Sequence, residues 1–263
     1  MGNGGEHAMR PAKAISFRAS EAPLAQSAME SLINTYGQVA PADADVIVAL
    51  GGDGFMLETL TDARRLDKPV YGMNRGTVGF LMNNYSAENL PQRLSEAEEA
   101  AINPLRMRAG SEDGTIAEAL AINEVSLLRA GPQAAKLKIS IDGKPRLEEL
   151  VCDGALVATP AGSTAYNYSA HGPILPIGSE VLALTAVAPF RPRRWRGALL
   201  PKSALVRFDV INPAKRPVMA DADGNPVKNV HWVEITSEPS VVHRILFDPG
   251  HGLEERLIRE QFL

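Results

Sequence analysis

The chain has 263 residues, 45% of them hydrophobic and 22% charged, with a formal net charge of −4 and a pI near 5.8. That apolar content suffices for one large domain or two modest ones, and the acidic surplus argues against generic binding to nucleic acid or anionic membranes. The single cysteine, Cys152, excludes an internal disulfide and suits a reducing compartment, and the five histidines show no zinc-ligand spacing.

No apolar run approaches the ~18 residues of a membrane span. Residues 1–7 lack a basic stretch followed by an apolar one and read as a flexible tail, so the expected location is the cytoplasm. Residues 14–17 form a short candidate strand, and 24–36 carry Leu24, Ala28, Leu32, Ile33 and Tyr36 at helical spacing. Residues 45–50 run apolar into glycines, the pattern of a strand buried on both faces. Helical spacing resumes over 55–66, and 68–72 make another short strand. Strand, helix and strand within about thirty residues imply a parallel pair with a crossover helix. A further helix is expected over 87–101, charged on one side and closed by Pro104.

Beyond Pro104 the texture changes. Strand-like segments at 105–108, 116–128, 136–141, 154–158, 205–211, 218–221 and 232–236 alternate with turn signals. Asp142-Gly143 and Asp223-Gly224 between such runs are hairpin cues. One helical turn is expected near 163–170. The expected architecture is an α/β domain with a parallel sheet, followed by a β-rich domain.

Gly51-Gly52-Asp53-Gly54 falls where an apolar strand meets a helix, at the carboxyl end of a parallel strand, where open α/β sheets bind ligands. Glycines let backbone N–H groups approach phosphates, and the helix N-terminus adds positive charge. Asp53 among them suits accepting a proton or holding a divalent cation; a tight turn with Asp53 as helix cap is the structural alternative. Neither GxxxxGK[ST] nor GxGxxG is present, so the loop works in another way. A second glycine loop, Asn74-Arg75-Gly76-Thr77-Val78-Gly79-Phe80-Leu81, follows the next strand and should lie beside the first. Its alternative is a plain strand-to-helix connection.

Asn123-Glu124 interrupts an apolar run; buried, such a pair needs partners and could meet an adenine edge or ribose hydroxyls, and on an edge strand it would face water. Residues 159–169 (TPAGSTAYNYS) gather hydroxyls, amides and two aromatic rings suited to a base and its sugar, or form a capped turn. Arg191-Pro192-Arg193-Arg194-Trp195-Arg196 is the dense basic cluster, a phosphate-gathering loop or a solvated surface. Cys152, with no histidine nearby in sequence, reads as a small buried hydrophobe.

As an ordered set over residues 45–225, these segments resemble the NAD kinase family. The resemblance implies a two-domain fold: an α/β domain over 8–104, a β-rich dinucleotide-binding domain over 105–244, and a C-terminal segment, 245–263, returning to the first. It implies Asp53 as the base that takes the proton of the adenosine ribose 2′-hydroxyl. Gly52, Gly54, Asn74, Gly76 and Phe80 are implied nucleotide contacts in the two glycine loops. Asn123, Glu124 and Asp153 are implied dinucleotide contacts, with Ala161, Thr164, Ala165, Tyr166 and Ser169 lining the substrate. Ala188 matches a position meeting NAD across a subunit contact, and Asp223 an acidic residue near the site, with Asp221 close by.

Implied partners are NAD, ATP or polyphosphate, a divalent cation such as Mg²⁺, and further copies of the chain in a homodimer or homotetramer. Three positions depart from the pattern. The region before Asp45 is short, Val151 stands where some relatives carry a basic residue, and Ala161 replaces a threonine of TPTGSTAY. The readings set against NAD kinase are a lipid or sugar kinase with a related GGDG loop, and a non-catalytic dinucleotide sensor.

Overall fold

The computed structural model describes residues 14–76, 79–193 and 195–249. Among these, residues up to Ala100 and from His243 onward form one compact unit, and Ala101–Val242 a second. The chain begins with β1 (Ile15–Ala19), α1 (Pro23–Tyr36), β2 (Val46–Gly51), α2 (Asp53–Arg64), β3 (Val70–Asn74), α3 (Leu90–Glu96) and β4 (Glu98–Ile102). There follow β5 (Leu105–Ser111), β6 (Ile116–Ala121), β7 (Glu124–Arg129), β8 (Ala135–Ile141), β9 (Lys144–Cys152) and β10 (Gly154–Ala158). A 3₁₀ turn (Ala161–Thr164) and a one-turn helix, α4 (Tyr166–Ser169), precede β11 (Val181–Val187), β12 (Gly197–Pro201) and β13 (Val206–Val210). The chain continues through β14 (Val218–Ala222), β15 (Asn225–Val227), β16 (Val230–Ser237) and β17 (His243–Phe247).

In the first unit the sheet order is β1-β2-β3-β17-β4, with β1, β2, β3 and β17 parallel. Every residue of β2 is buried, as expected of a central parallel strand covered on both faces. Val46, Val48 and Leu50 pack on one face with Ala25, Ala28 and Leu32 of α1. α2 packs against β2, β3 and β17, burying Met56, Leu60 and Ala63. Because β2 and β3 pair with Gly51 opposite Asn74, their carboxyl ends finish side by side, and the two glycine loops leave the sheet together.

The helix expected over 87–101 is cut to seven residues. Pro91 sits in its first turn, the position where a proline costs nothing, so the helix cannot extend upstream through it. Residues 98–102 instead join the sheet beside β17, a tertiary pairing that overrides their helical composition.

The second unit is a sandwich of two six-stranded sheets, ordered β12-β11-β10-β7-β14-β15 and β6-β5-β16-β13-β8-β9, with antiparallel pairing throughout its described ladders. Leu127, Val157 and Ala220 of one sheet share a core with Met107, Phe208 and Val233 of the other. β13 alternates buried and half-buried residues, with Arg207 and Asp209 facing out, as a sandwich strand requires. β10 is buried along its whole length because Leu156 and Ala158 meet a second cluster with Leu175 and Ala183, against which Tyr166 and Ala170 pack. The segment after β10 therefore lies on the outside of that sheet. The continuous strand expected over 116–128 is two strands, β6 and β7, assigned to different sheets, so Asn123 and Glu124 stand at the crossing.

A buried polar network holds β17 in the first unit. Asn83, with no exposed surface, donates to Gly72 O and Leu246 O at 3.0 Å each and accepts the N–H of Asp248 at 2.9 Å. Tyr71 donates to Asp248 at 2.5 Å, and Arg93 pairs with the same carboxylate at 2.5 Å. Asn83→Ala removes three hydrogen bonds and strands the groups they satisfied. We expect it to lower stability by about 2 kcal/mol or more, read as a shift in the urea midpoint; a change below about 0.5 kcal/mol would show that the return of β17 does not depend on this amide.

Candidate active site

In the first unit a candidate site is built on the paired carboxyl ends of β2 and β3. Gly52 is the residue before α2, in an extended conformation, and Asp53 opens the helix. The Asp53 carboxylate does not cap its own helix. Its Oδ2 accepts the N–H of Phe80 at 2.7 Å and its Oδ1 that of Leu81 at 3.0 Å. The second glycine loop is thus folded onto the first through one side chain. Gly79 is the residue this requires: a Cβ there would stand 2.4 Å from Asp53 Oδ1. The loops also touch through backbone, with the Arg75 N–H donating to Gly51 O at 2.8 Å. The Asn74 side chain accepts from Gly76 N at 2.9 Å, closing an Asx turn.

Gly52 and Gly54 differ from Gly79. A Cβ on either would have nothing of the described residues within 4 Å, and neither takes a positive φ. Neither packing among the described residues nor backbone geometry demands glycine at these two positions, so the loop backbone there is open to close approach.

In the second unit a candidate site is assembled around the β6–β7 crossing. Asp223, at φ 45° in the Asp223-Gly224 turn, accepts the N–H groups of Ile122 (2.6 Å), Asn123 (3.0 Å) and Glu124 (3.3 Å). Asp221 is bound to its own turn through Gly224 N at 2.8 Å. Of the two acids, Asp223 is therefore the one that holds the Asn123-Glu124 backbone. From the other side, Thr159 N donates to Asn123 O at 2.9 Å and the Thr159 hydroxyl to Ile122 O at 2.6 Å. Gly162 packs so closely that a Cβ would stand 2.1 Å from Asn123 O. The TPAGSTAY segment and the Asn-Glu pair are thus one structure, with Ala161, Thr164, Ala165 and Tyr166 following directly.

Within that segment the polar groups divide. Ser163 and Asn167 are consumed internally: the Ser163 hydroxyl donates to Pro160 O at 2.7 Å and accepts from Leu175 N at 2.9 Å. The Asn167 amide donates to Ser163 O and Pro173 O and accepts from the Thr185 hydroxyl at 2.6 Å. Ser169 is exposed, and Tyr166 is half-buried. Tyr166 is pushed up in pKa by burial and then by the charges of Glu124 and Asp153.

Glu124 is the perturbed acid of this cluster. Burial, then the charges of Asp223 and Asp221, raise its pKa to about 7, opposed by the backbone N–H of Tyr166. Its Oε2 is buried without a hydrogen-bond partner among the described residues. Asp223 is likewise raised by burial, and the three amides it accepts pull it back. Asp153 lies at the other end of the β7–β10 pair, since Ala158 pairs with Glu124 and Gly154 with Leu128. It forms an ion pair with Arg129 at 2.6 Å. Ala188 is exposed at φ 46°. Cys152 is buried, and its thiol is pushed up to about 12, mainly by that burial.

Arg75 and Thr159 lie in candidate segments without a role of their own assigned from sequence, and Arg129 lies outside them. A cation inside the second glycine loop was the available signal for Arg75. Thr159 opens the TPAGSTAYNYS segment, but its bonds to Ile122 and Asn123, like the Arg129–Asp153 pair, join residues 24 or more apart in sequence. Among the described residues no three His, Cys, Asp or Glu side chains form a metal-holding group, and no helix is long and apolar enough to cross a membrane.

Residues 5–102 match the model of the ATP-NAD kinase N-terminal domain and residues 122–237 that of the ATP-NAD kinase C-terminal domain. Fold and site thus define a two-domain phosphotransferase of the ATP-NAD kinase type. The chain is 71% identical over 249 residues to the NAD kinase of Cereibacter sphaeroides, covering 95% of this chain and 98% of that one. It is 58% identical over 248 residues to the NAD kinase of Caulobacter vibrioides, covering 94% and 95%. The fold matches yeast NADH kinase, solved with NADH, at a TM-score of 0.80 and 22% identity, covering 97% of this chain and 88% of that one. An NAD kinase from Archaeoglobus fulgidus, solved with ATP, matches at 0.72 and 24% identity, covering 94% and 98%. The chain belongs to the NAD kinase family.

Glu124 makes a signed prediction. Its folded pKa lies above the ordinary carboxyl value, so the folded state binds the extra proton and stability falls as pH rises from about 4.5 towards 7. This is the reverse of a salt-bridged carboxylate. Glu124→Gln should raise Tm at pH 8 by about 2 °C or more and change it little at pH 4.5. Equal shifts at both pH values would mean that Glu124 titrates normally.

Proposed function

We propose that this chain transfers the terminal phosphoryl group of ATP or polyphosphate to the 2′-hydroxyl of the adenosine ribose of NAD, yielding NADP. The observation that carries the reading is Asp53: a carboxylate fixed by two backbone amides at a helix start, between glycines that leave open space. Relatives covering nearly the whole chain are named NAD kinase, which favours this reading over a lipid or sugar kinase or a silent sensor.

Each unit has its own task. Asp53 takes the proton of the ribose hydroxyl on an oxygen lone pair that Phe80 and Leu81 leave free, since a carboxylate offers about four such sites. As that proton leaves, the ribose oxygen forms a bond to phosphorus and the bond to the departing phosphate breaks. The backbone around Gly52, Gly54, Asn74 and Gly76, with the α2 N-terminus, faces the negative oxygens of the donor. Phe80 acts through its amide, which holds the base in place.

In the second unit, Asn123 and the unpartnered Glu124 Oε2 hydrogen-bond the dinucleotide. Ala161, Thr164, Ala165, Tyr166 and Ser169 line it, and Asp223 positions the Asn-Glu pair from behind. Asp153 contributes as a pair with Arg129. A divalent cation, Mg²⁺ by preference, fits a site with one carboxylate, because this ion keeps several waters and binds mainly through substrate phosphates. Asp53 would hold it, and it would offset charge on the transferred group.

Asp53→Asn should lower kcat with ATP and NAD by at least about 100-fold. It keeps an acceptor for only one of the two loop amides, so Tm and calorimetric NAD binding are measured alongside, and NAD affinity should survive. Near-normal turnover in this variant would reduce Asp53 to a loop anchor. A second copy of the chain is also proposed to complete the site at Ala188, beside Phe190, which is 58% exposed. Sedimentation should give a dimer or tetramer; a fully active monomer refutes this.

A further inference from the structure

Arg75 follows β3 directly, at the carboxyl edge of the parallel sheet and in backbone contact with the first glycine loop. The parallel bridge between Met73 and Asn83 sets the chain so that Arg75 lies beside Tyr85, with Cζ 3.2 Å from the ring centroid. Its Nε is buried and has no hydrogen-bond partner among the described residues. Among the described residues, Arg93 is neutralised by Asp248, Arg106 by Glu238 and Arg207 by Glu234 and Asp209, while half-buried Arg216 donates to the Ala134 carbonyl.

A guanidinium N–H removed from water without an acceptor is unfavourable, and the cost is relieved when an anion completes the pair. Stacking on an aromatic ring fixes the plane of the guanidinium and presets its fork for a bidentate contact. The anion chemistry that belongs at this edge, beside glycine amides and a helix start, is phosphate.

We propose that Arg75 is a positioning residue for the phosphoryl donor, binding the polyphosphate chain rather than NAD. The proposal rests on the phosphotransferase reading above for its biological meaning, and the binding it asserts is measurable without turnover. The recognised chemistry is a run of linked phosphates, shared by nucleoside triphosphates and inorganic polyphosphate. Tyr85 contributes by holding the guanidinium plane and need not touch the ligand.

The test compares wild type with R75M, which keeps the stem and the ring contact, and R75K, which keeps the charge without the fork. R75Q repeats the charge deletion with a polar head. Inorganic tripolyphosphate and ATP are each titrated calorimetrically into the protein, and KM values for ATP and NAD are measured separately. R75M and R75Q should weaken tripolyphosphate and ATP about tenfold, with the KM for ATP rising in step and that for NAD within about twofold. R75K should fall between, and the salt dependence of donor binding should shrink in R75M. Unchanged tripolyphosphate binding in folded R75M or R75Q overturns the proposal, as does an equal rise in both KM values. Loss of ATP binding with tripolyphosphate unaffected also overturns it, because the contact would then be to the nucleoside. Absence of NAD phosphorylation by wild type would remove the kinase reading, while the tripolyphosphate titration would still decide whether Arg75 binds the anion.

Discussion

The first unit's site depends on the carboxylate of Asp53 accepting two backbone N–H groups, from Phe80 and Leu81. A loop carboxylate free to rotate would be a poor base, because its oxygens would spend most of their time elsewhere. Two amides from a segment 27 and 28 residues away remove that freedom and draw the second glycine loop over the first. The arrangement needs the loops to leave adjacent parallel strands at the same level, which the Gly51–Asn74 register provides. It also needs a residue without a Cβ at Gly79.

The second unit solves a related problem in the same way, with different consequences. Asp223 accepts three consecutive amides where the chain crosses from one sheet of the sandwich to the other. That crossing leaves backbone groups outside either ladder, and a carboxylate satisfies them at once. Placing it there sets a second acid, half-buried Glu124, close to a like charge; desolvation and that charge raise the Glu124 pKa, and its buried Oε2 is left unpaired among the described residues. Such a group is ready to share a hydrogen bond with a ligand hydroxyl. The same crossing that solves a folding problem leaves a perturbed acid with an unpaired oxygen.

Much of this was legible in the sequence because it rests on local chemistry. The buried run before Gly51 had the pattern of a strand covered on both faces, and its glycines and following helical spacing marked a candidate loop at its end. Asp142-Gly143 and Asp223-Gly224 marked hairpin turns because both residues of each pair adopt positive φ. The Asn-Glu pair stood out because two polar residues in an apolar run need an explanation.

What the sequence by itself determined was the kind of backbone at each loop and the residues able to do chemistry there. Tertiary structure alone decided their partners. The end of the helix expected over 87–101 became strand because β17, some 145 residues later in the chain, brought an edge to which residues 98–102 could bond. The run over 116–128 broke at Ile122 because its two halves pair with strands of different sheets, β5 on one side and β10 and β14 on the other. Asp53 faced Phe80 and Leu81, Asp223 faced Ile122 to Glu124, and Arg75 was left without an acidic partner among the described residues. Each of these outcomes depends on distance between groups remote in sequence, and hydrogen bonds and charges act through distance, which periodicity and composition do not encode.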